Sequence, residues 1–324
     1  MYQQPNIDGI LIQWGDRLFY PSNRIVKVPP QPRLVANVAR RRAAAIRARI
    51  RATVVRRAPQ VMVKVTGGGR GMKAIAAHFR YISKNGRLDI EDEQGQTMRG
   101  KDALRGLSDD WRFGGTLIDD VAEPGQRREA FNIMLSMPRG IDPLIVQRAA
   151  REFAQAELAD HKYVMVLHDH QANPHVHISV RAESKHGQRL NPRKADLHGW
   201  RESFVEKLRG WGVEAEATRQ ASRGNTRNYA PLWRIRAKED GRLRTARPAT
   251  KCTPNTVATR AAAVEAWREI AHALAASGDQ SDRELAQAVA RFVGEMPAVA
   301  GTNRAENSRV PSVPSQSVDQ QHHR

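Results

Sequence analysis

Short β-rich runs and longer helical periods alternate through the middle of the chain. VMVKVT (61–66), AFNIMLS (130–136), KYVMVLH (162–168) and HVHISVRA (175–182) predict strands. MKAIAAHFRYIS, after the turn GGGRG (67–71), predicts a helix that KNG at 84–86 stops. Asp142 predicts an N-cap with Pro143 as the first helical residue. Ile145, Ala149, Phe153 and Ala156 then fall at helical spacing toward Ala159. ADLHGWRESFVEKLRGWG predicts a further helix, with Leu197, Trp200, Phe204 and Leu208 inward and Gly210 or Gly212 ending it. Trp200 and Trp211 read as core. Residues 87–128 are polar and carry no firm period, and KHGQRLNPRK predicts a basic loop or short hairpin.

The two ends read differently. Residues 1–32 are mixed, and LVANVARRRAAAIRARIRATVVRRA then predicts a helix from its Ala and Arg content. Nine arginines and no acid lie between 31 and 60. They suit an arm along phosphates, or a solvated charge run. After about 235 come a basic linker, two Ala-rich helices near 257–276 and 281–294, and a tail expected to be disordered. The expected organisation is a basic, partly helical arm over 1–60, a main domain over 61–234, a linker over 235–256, helices over 257–296 and a tail over 297–324.

Charge narrows the partner. Fifty-three Lys and Arg against 34 Asp and Glu give a formal net charge of +19, which favours a polyanion: nucleic acid first, an anionic membrane second. No apolar run is long enough to span a bilayer, so no membrane insertion is expected, and the N-terminus does not read as a secretory signal. The single cysteine, Cys252, excludes an internal disulfide framework and fits a reducing cytoplasm.

The chemistry concentrates in HDHQANPHVHISV (168–180). Side chains alternate along a strand, so His175 and His177 point one way. A short turn between antiparallel neighbours brings His168 beside them. Three neutral imidazoles on a rigid sheet suit a divalent ion and leave coordination positions for a phosphate oxygen. His170 and His186 fit a supporting or a solvated role, and His186 reads as solvated. Tyr81 sits late in its predicted helix, one turn after His78, among Arg80, Lys84 and Arg87. A tyrosine oxygen can serve as a covalent nucleophile. The glycines at 67–71 fit a phosphate cradle and a plain tight turn equally well.

Taken in order, HFRYISKNG, LSMPRG, DHKYVMVLHDHQANPHVHISVRA and GQRLNPRKADLHGWRESFVEKLRGWGVEAEAT resemble the relaxases of mobile plasmids and integrative elements, over about residues 61–230. These are HUH endonucleases, and the branch most resembled includes the agrobacterial T-DNA border endonuclease. The resemblance implies an α+β fold with a central antiparallel sheet flanked by helices. It implies that Tyr81 attacks a phosphodiester in DNA at a transfer origin, leaving a 5′-phosphotyrosyl strand and a free 3′-OH. His168, His175 and His177 would hold Mg²⁺ or Mn²⁺, and Ser136 would contact DNA near the nick. The tyrosine precedes the HUH strand, as in relaxases, whereas replication initiators of the superfamily carry theirs after it. One departure is that many relatives have an acid two positions after the first His. Here that position is His170, with Asp169 one earlier, so His170 is the expected base, or the site is weakened.

Arg80, Lys84, Arg189, Arg193, Lys194, Arg223 and Arg227 are the expected DNA contacts, with Arg219 a further option and Tyr229 and Trp233 available for base stacking. Expected partners are single-stranded or supercoiled DNA, an accessory DNA-binding protein, and the coupling protein of a type IV secretion channel that carries protein and DNA to a recipient cell. Two other readings stay open: a DNA-binding mobilisation factor without turnover, and a replication initiator.

Overall fold

The computed structural model describes residues 6–20, 36–121, 127–171, 173–224, 237, 240–242, 254–296 and 299. Arg227, Tyr229, Trp233, Cys252, most of the expected linker and nearly all of the expected tail lie outside the described residues. The fold is α+β, as the resemblance implied. Six strands form one antiparallel sheet: β1 (Met62–Gly67), β2 (Ile90–Asp92), β3 (Thr97–Met98), β4 (Ala130–Ser136), β5 (His161–His168) and β6 (His175–Ser184). Their order across the sheet is β1-β4-β6-β5-β2-β3.

Eight α-helices flank the sheet among the described residues: α1 (Ile7–Phe19), α2 (Ala36–Ile50), α3 (Met72–Ile82), α4 (Lys101–Phe113), α5 (Pro143–Glu157), α6 (Asp196–Gly210), α7 (Pro254–Ala275) and α8 (Gln280–Gly294). Asp142 caps α5, its side chain accepting from Leu144 N–H at 2.9 Å, with Pro143 where its missing N–H costs nothing. The buried face of α5 is Val146, Ala149, Ala150, Phe153 and Ala154, so Ala156, expected inward, is exposed. α4 occupies the stretch without a clear period, burying Leu104, Leu107 and Trp111. Trp211, expected in the core, is 40% exposed; its Nε1 donates to Glu152 at 2.9 Å and Arg148 lies over its ring.

The two sheet faces are covered unequally. Alternation sends Ile133, Leu135, Val176, Ile178 and Val180 to one face, where Phe153, Trp200, Phe204 and Leu208 of α5 and α6 cover them. On the opposite face α3 and α4 pack over Val164, Val166, Ile90 and Ala130. That cover stops short of the β1 end, where Lys64 is exposed and Met62 is 42% exposed.

The glycine turn is structural. Gly69 exchanges backbone hydrogen bonds with Ala130, and a Cβ on Gly68 would lie 2.3 Å from the Ala130 oxygen. The first N–H groups of α3, on Met72 and Lys73, donate to the carbonyls of Asp119 and Asp120, leaving no phosphate cradle there.

Residues expected as an N-terminal arm and a C-terminal appendage share one hydrophobic core. Leu11, Leu18 and Phe19 of α1 and Ile46 and Ile50 of α2 pack with Trp267, Ile270, Leu285, Val289 and Phe292 of α7 and α8. The arginines of the second segment stitch this core together instead of lining a free arm. Arg42 pairs with Asp16, Arg47 with both Asp8 and Asp282, and Arg57 with Glu295. Arg51 donates to Ser281. Arg49 reaches Glu202 at 2.8 Å and Glu216 at 3.4 Å, and Arg56 reaches Glu214, joining the helical core to the sheet domain. Arg40 and Arg41 are exposed.

Asp282 is nearly fully buried. Burial alone would raise its pKa, but hydrogen bonding and charge from Arg47, with Ser277 and Arg51, hold it below the ordinary carboxylate value. Its stabilising contribution is therefore fully present above the unfolded pKa of about 4 and is lost as pH falls through the lower folded value. Arg47→Met is expected to lower unfolding stability by about 3 kcal/mol, because it leaves a buried carboxylate without its cation. Urea denaturation at pH 7 measures this, and Asp282→Asn should flatten the fall of melting temperature between about pH 5 and pH 2.

Candidate functional site

Register assembles the site. β5 and β6 pair His168 against His175 and Val166 against His177, while β4 places Ser136 opposite His175 and Met134 opposite His177. Paired residues share a face, so Ser136, His175 and His168 stand in one row across three strands. His177 stands in the next row. All three imidazoles are buried, with ring centroids 4.7 to 5.0 Å apart. One ligand atom from each lies within 4.8 Å of the others.

Backbone carbonyls orient two of the rings. His168 Nε2 sits 2.6 Å from the Ile82 oxygen, and His175 Nδ1 sits 2.9 Å from the Asn173 oxygen. Each of these nitrogens therefore carries the proton and donates, leaving the other with a lone pair. Nδ1 of His168 and Nδ1 of His177 are buried with no hydrogen-bond partner. Burial lowers the pKa of all three. For His177, burial and then the neighbouring imidazoles push it down to about 3. For His168 and His175 the accepting carbonyls oppose the shift. Neutral rings with unpartnered buried nitrogens, converging from rigid strands, fit a divalent metal ion.

α3 lays Tyr81 beside this cluster. Its ring centroid is 6.3 Å from that of His177, and the residue is 69% exposed. His78, one turn earlier, stacks with Tyr81 at 6.1 Å and meets His177 edge-on at 6.3 Å. Its Nε2 is buried without a partner, and burial lowers its pKa to about 4. The site thus contains a fourth imidazole with no role assigned from sequence, although its spacing from Tyr81 put both on one helix face.

The remaining expected residues divide into two groups. Asp169 and His170 are exposed beyond the end of β5, with the His170 ring 5.1 Å from that of His168. Ser136 is buried, its Oγ donating to the Pro174 carbonyl at 3.3 Å. Arg80, Lys84, Arg193 and Lys194 are exposed, and Arg80 also lines a cleft of about 360 Å³ with Lys73, Arg112 and Asp120. Two expected DNA contacts are committed elsewhere. Arg189 holds Glu129 through both terminal nitrogens, and Arg223 is turned inward onto Thr218, its pKa lowered by burial to about 10. Arg219, also half-buried, donates to the Arg17 carbonyl. His186 is exposed near Asp160.

Residues 90–212 match the family model described as Relaxase: MobA/VirD2-like, nuclease domain. The match runs from β2 through α6 and contains His168, His175 and His177, while α3 and Tyr81 precede it. Over these residues the chain is similar to a relaxase nuclease domain. No curated protein matches the chain. No helix among the described residues is long and apolar enough to cross a membrane.

His177→Ala is expected to weaken Mn²⁺ binding by more than the ~10–100-fold typical of changes outside the ligand shell. Calorimetric titration of wild type and variant measures it.

Proposed function

We propose that the chain is a relaxase that nicks one DNA strand at a transfer origin by tyrosine transesterification. The observation that carries this reading is an exposed phenol, on Tyr81, beside three buried imidazoles with free nitrogens on a sheet of the relaxase type. His168, His175 and His177 would hold Mg²⁺ or Mn²⁺, which polarises a phosphate oxygen when bound.

Tyr81 Oη forms a bond to phosphorus as the bond to the 3′ oxygen breaks. The phenolic proton leaves to His170, with Asp169 beside it, and the departing 3′ oxygen takes a proton from water. One ester replaces another, so rejoining runs the same steps backward. Exposed Arg80 and Lys84 flank Tyr81 and are assigned to phosphates near the nick, with Arg193 and Lys194 further along the strand. Ser136 is assigned to the DNA beside the nick from its row next to His175. In this reading the protein acts in the bacterial cytoplasm in conjugative mobilisation, like the agrobacterial border endonuclease whose motifs it resembles. An accessory DNA-binding protein and a secretion coupling protein are its partners, and the latter passes it with DNA to the recipient. The exposed His170 at the position where relatives carry an acid favours a second reading, a DNA-binding mobilisation factor with little turnover.

Single-stranded oligonucleotides tiled over the DNA next to the gene, incubated with Mn²⁺ and run on denaturing gels, separate the two. Wild type is expected to form a covalent adduct mapping to Tyr81. Tyr81→Phe should lose adduct and nicking yet bind DNA with wild-type affinity. Absence of a wild-type adduct on every tile favours the second reading. The slope of log affinity against log salt should be about −3 if four cations reach phosphate, and Lys194→Ala should reduce it by about 0.7.

A further inference from the structure

The last turn of α3 accounts for its terminal carbonyls one by one. Phe79 O accepts from Ser83 N at 3.0 Å and from Ser83 Oγ at 2.7 Å, Arg80 O from Asn85 N at 2.7 Å, and Tyr81 O from Lys84 N at 3.3 Å. Ile82 O takes the Nε2–H of His168 at 2.6 Å, from a residue 86 positions downstream. Helix ends leave carbonyls that need partners when buried. Here one partner is an imidazole of the candidate metal cluster.

The chain beyond Ile82 holds this carbonyl in place by an uncommon route. Lys84, Asn85 and Gly86 have φ values of 51°, 59° and 80°, three left-handed residues in succession. Side-chain-bearing residues rarely enter that region, and they stay there only where their surroundings enforce it. Ser83 enforces it. It is fully buried, and its Oγ donates to Phe79 O and accepts from Gly86 N at 3.0 Å. Gly86 admits no side chain, since a Cβ would lie 2.7 Å from the Gly100 carbonyl.

We propose that this left-handed turn is the positioning device of the centre: it presents the Ile82 carbonyl to His168, fixes the proton on Nε2, and thereby leaves the buried Nδ1 lone pair as the atom that would hold a metal ion. The inference rests on the metal-dependent reading of the histidine cluster. It adds that, beside the packing of α3 on Val164 and Val166, a backbone hydrogen bond ties the helix bearing the phenol to the ligand set, so that loosening the turn would weaken metal binding without touching a ligand.

Asn85 tests it because it is exposed and belongs to neither the metal nor the DNA set. Asn85→Gly permits the left-handed backbone, whereas the β-branched side chain in Asn85→Val opposes it. Both are made in the full chain. The readouts are Mn²⁺ affinity by electron paramagnetic resonance and the His168 tautomer by long-range ¹H–¹⁵N correlation in metal-free protein. Asn85→Gly is expected to match wild type. Asn85→Val is expected to weaken Mn²⁺ binding about tenfold and to mix the His168 tautomers, with DNA binding in the absence of metal retained. Wild-type affinity in Asn85→Val, equal losses in both variants, or a wild-type His168 protonated on Nδ1 would each overturn the proposal, and the last needs no variant to fold. Wild-type Mn²⁺ binding that survives His175→Ala overturns the metal reading itself, and this inference with it. Binding that His175→Ala abolishes but Asn85→Val leaves intact overturns this inference alone.

Discussion

The direct pairing of His168 with His175 across β5 and β6 is the constraint from which the site follows. Strand side chains alternate, so a slip of one residue would send His168 into the apolar layer under α5 and α6 and bring Leu167 into its place. The present register prevents this, because Leu167, Val176 and Ile178 face that layer together. The apolar core and the imidazole cluster are thus two sides of one pairing, and the interior that stabilises the sheet also specifies the site. Ser136 joins the row for the same reason, through β4.

Burial then sets the protonation of the cluster. Crowded imidazoles removed from water stay neutral, and neutral rings keep the lone pairs a cation needs. Positive charge, meanwhile, is distributed unevenly. Arg42, Arg47 and Arg49 of α2 are paired with the buried carboxylates of Asp16, Asp282 and Glu216. Each such pair is neutral, so the surplus of +19 rests on the other cations, among them exposed Arg80 and Lys84 near Tyr81.

Elements with strong local patterns were legible in the sequence. The four longer strands lie within one or two residues of their expected bounds, as do α3 and α5, because alternation, the Asp142–Pro143 start and the KNG stop are local signals. β2 and β3 have three and two residues, too few for a pattern. In α4, Leu104, Leu107 and Trp111 are spaced correctly, but the acids, arginines and Gly106 between them mask the period. The convergence of His168, His175 and His177 followed from parity together with the short turn between β5 and β6. The carbonyls of Ile82 and Asn173 that orient His168 and His175 carry no side-chain signature. An apolar helix face likewise says that it will be buried without saying against what, which is why the union of α1 and α2 with α7 and α8 was not evident.

That union bears on how the polypeptide is made. The ion pair from Arg47 to Asp282 spans 235 positions, and that from Arg57 to Glu295 spans 238. During synthesis the first two helices leave the ribosome long before their packing partners exist, and they wait while the sheet between them forms. Such distant contacts slow the search for the native state and leave apolar surface open meanwhile. Arg47 of α2, which later pairs with Asp282, has that partner in hand only once the chain has grown and folded back.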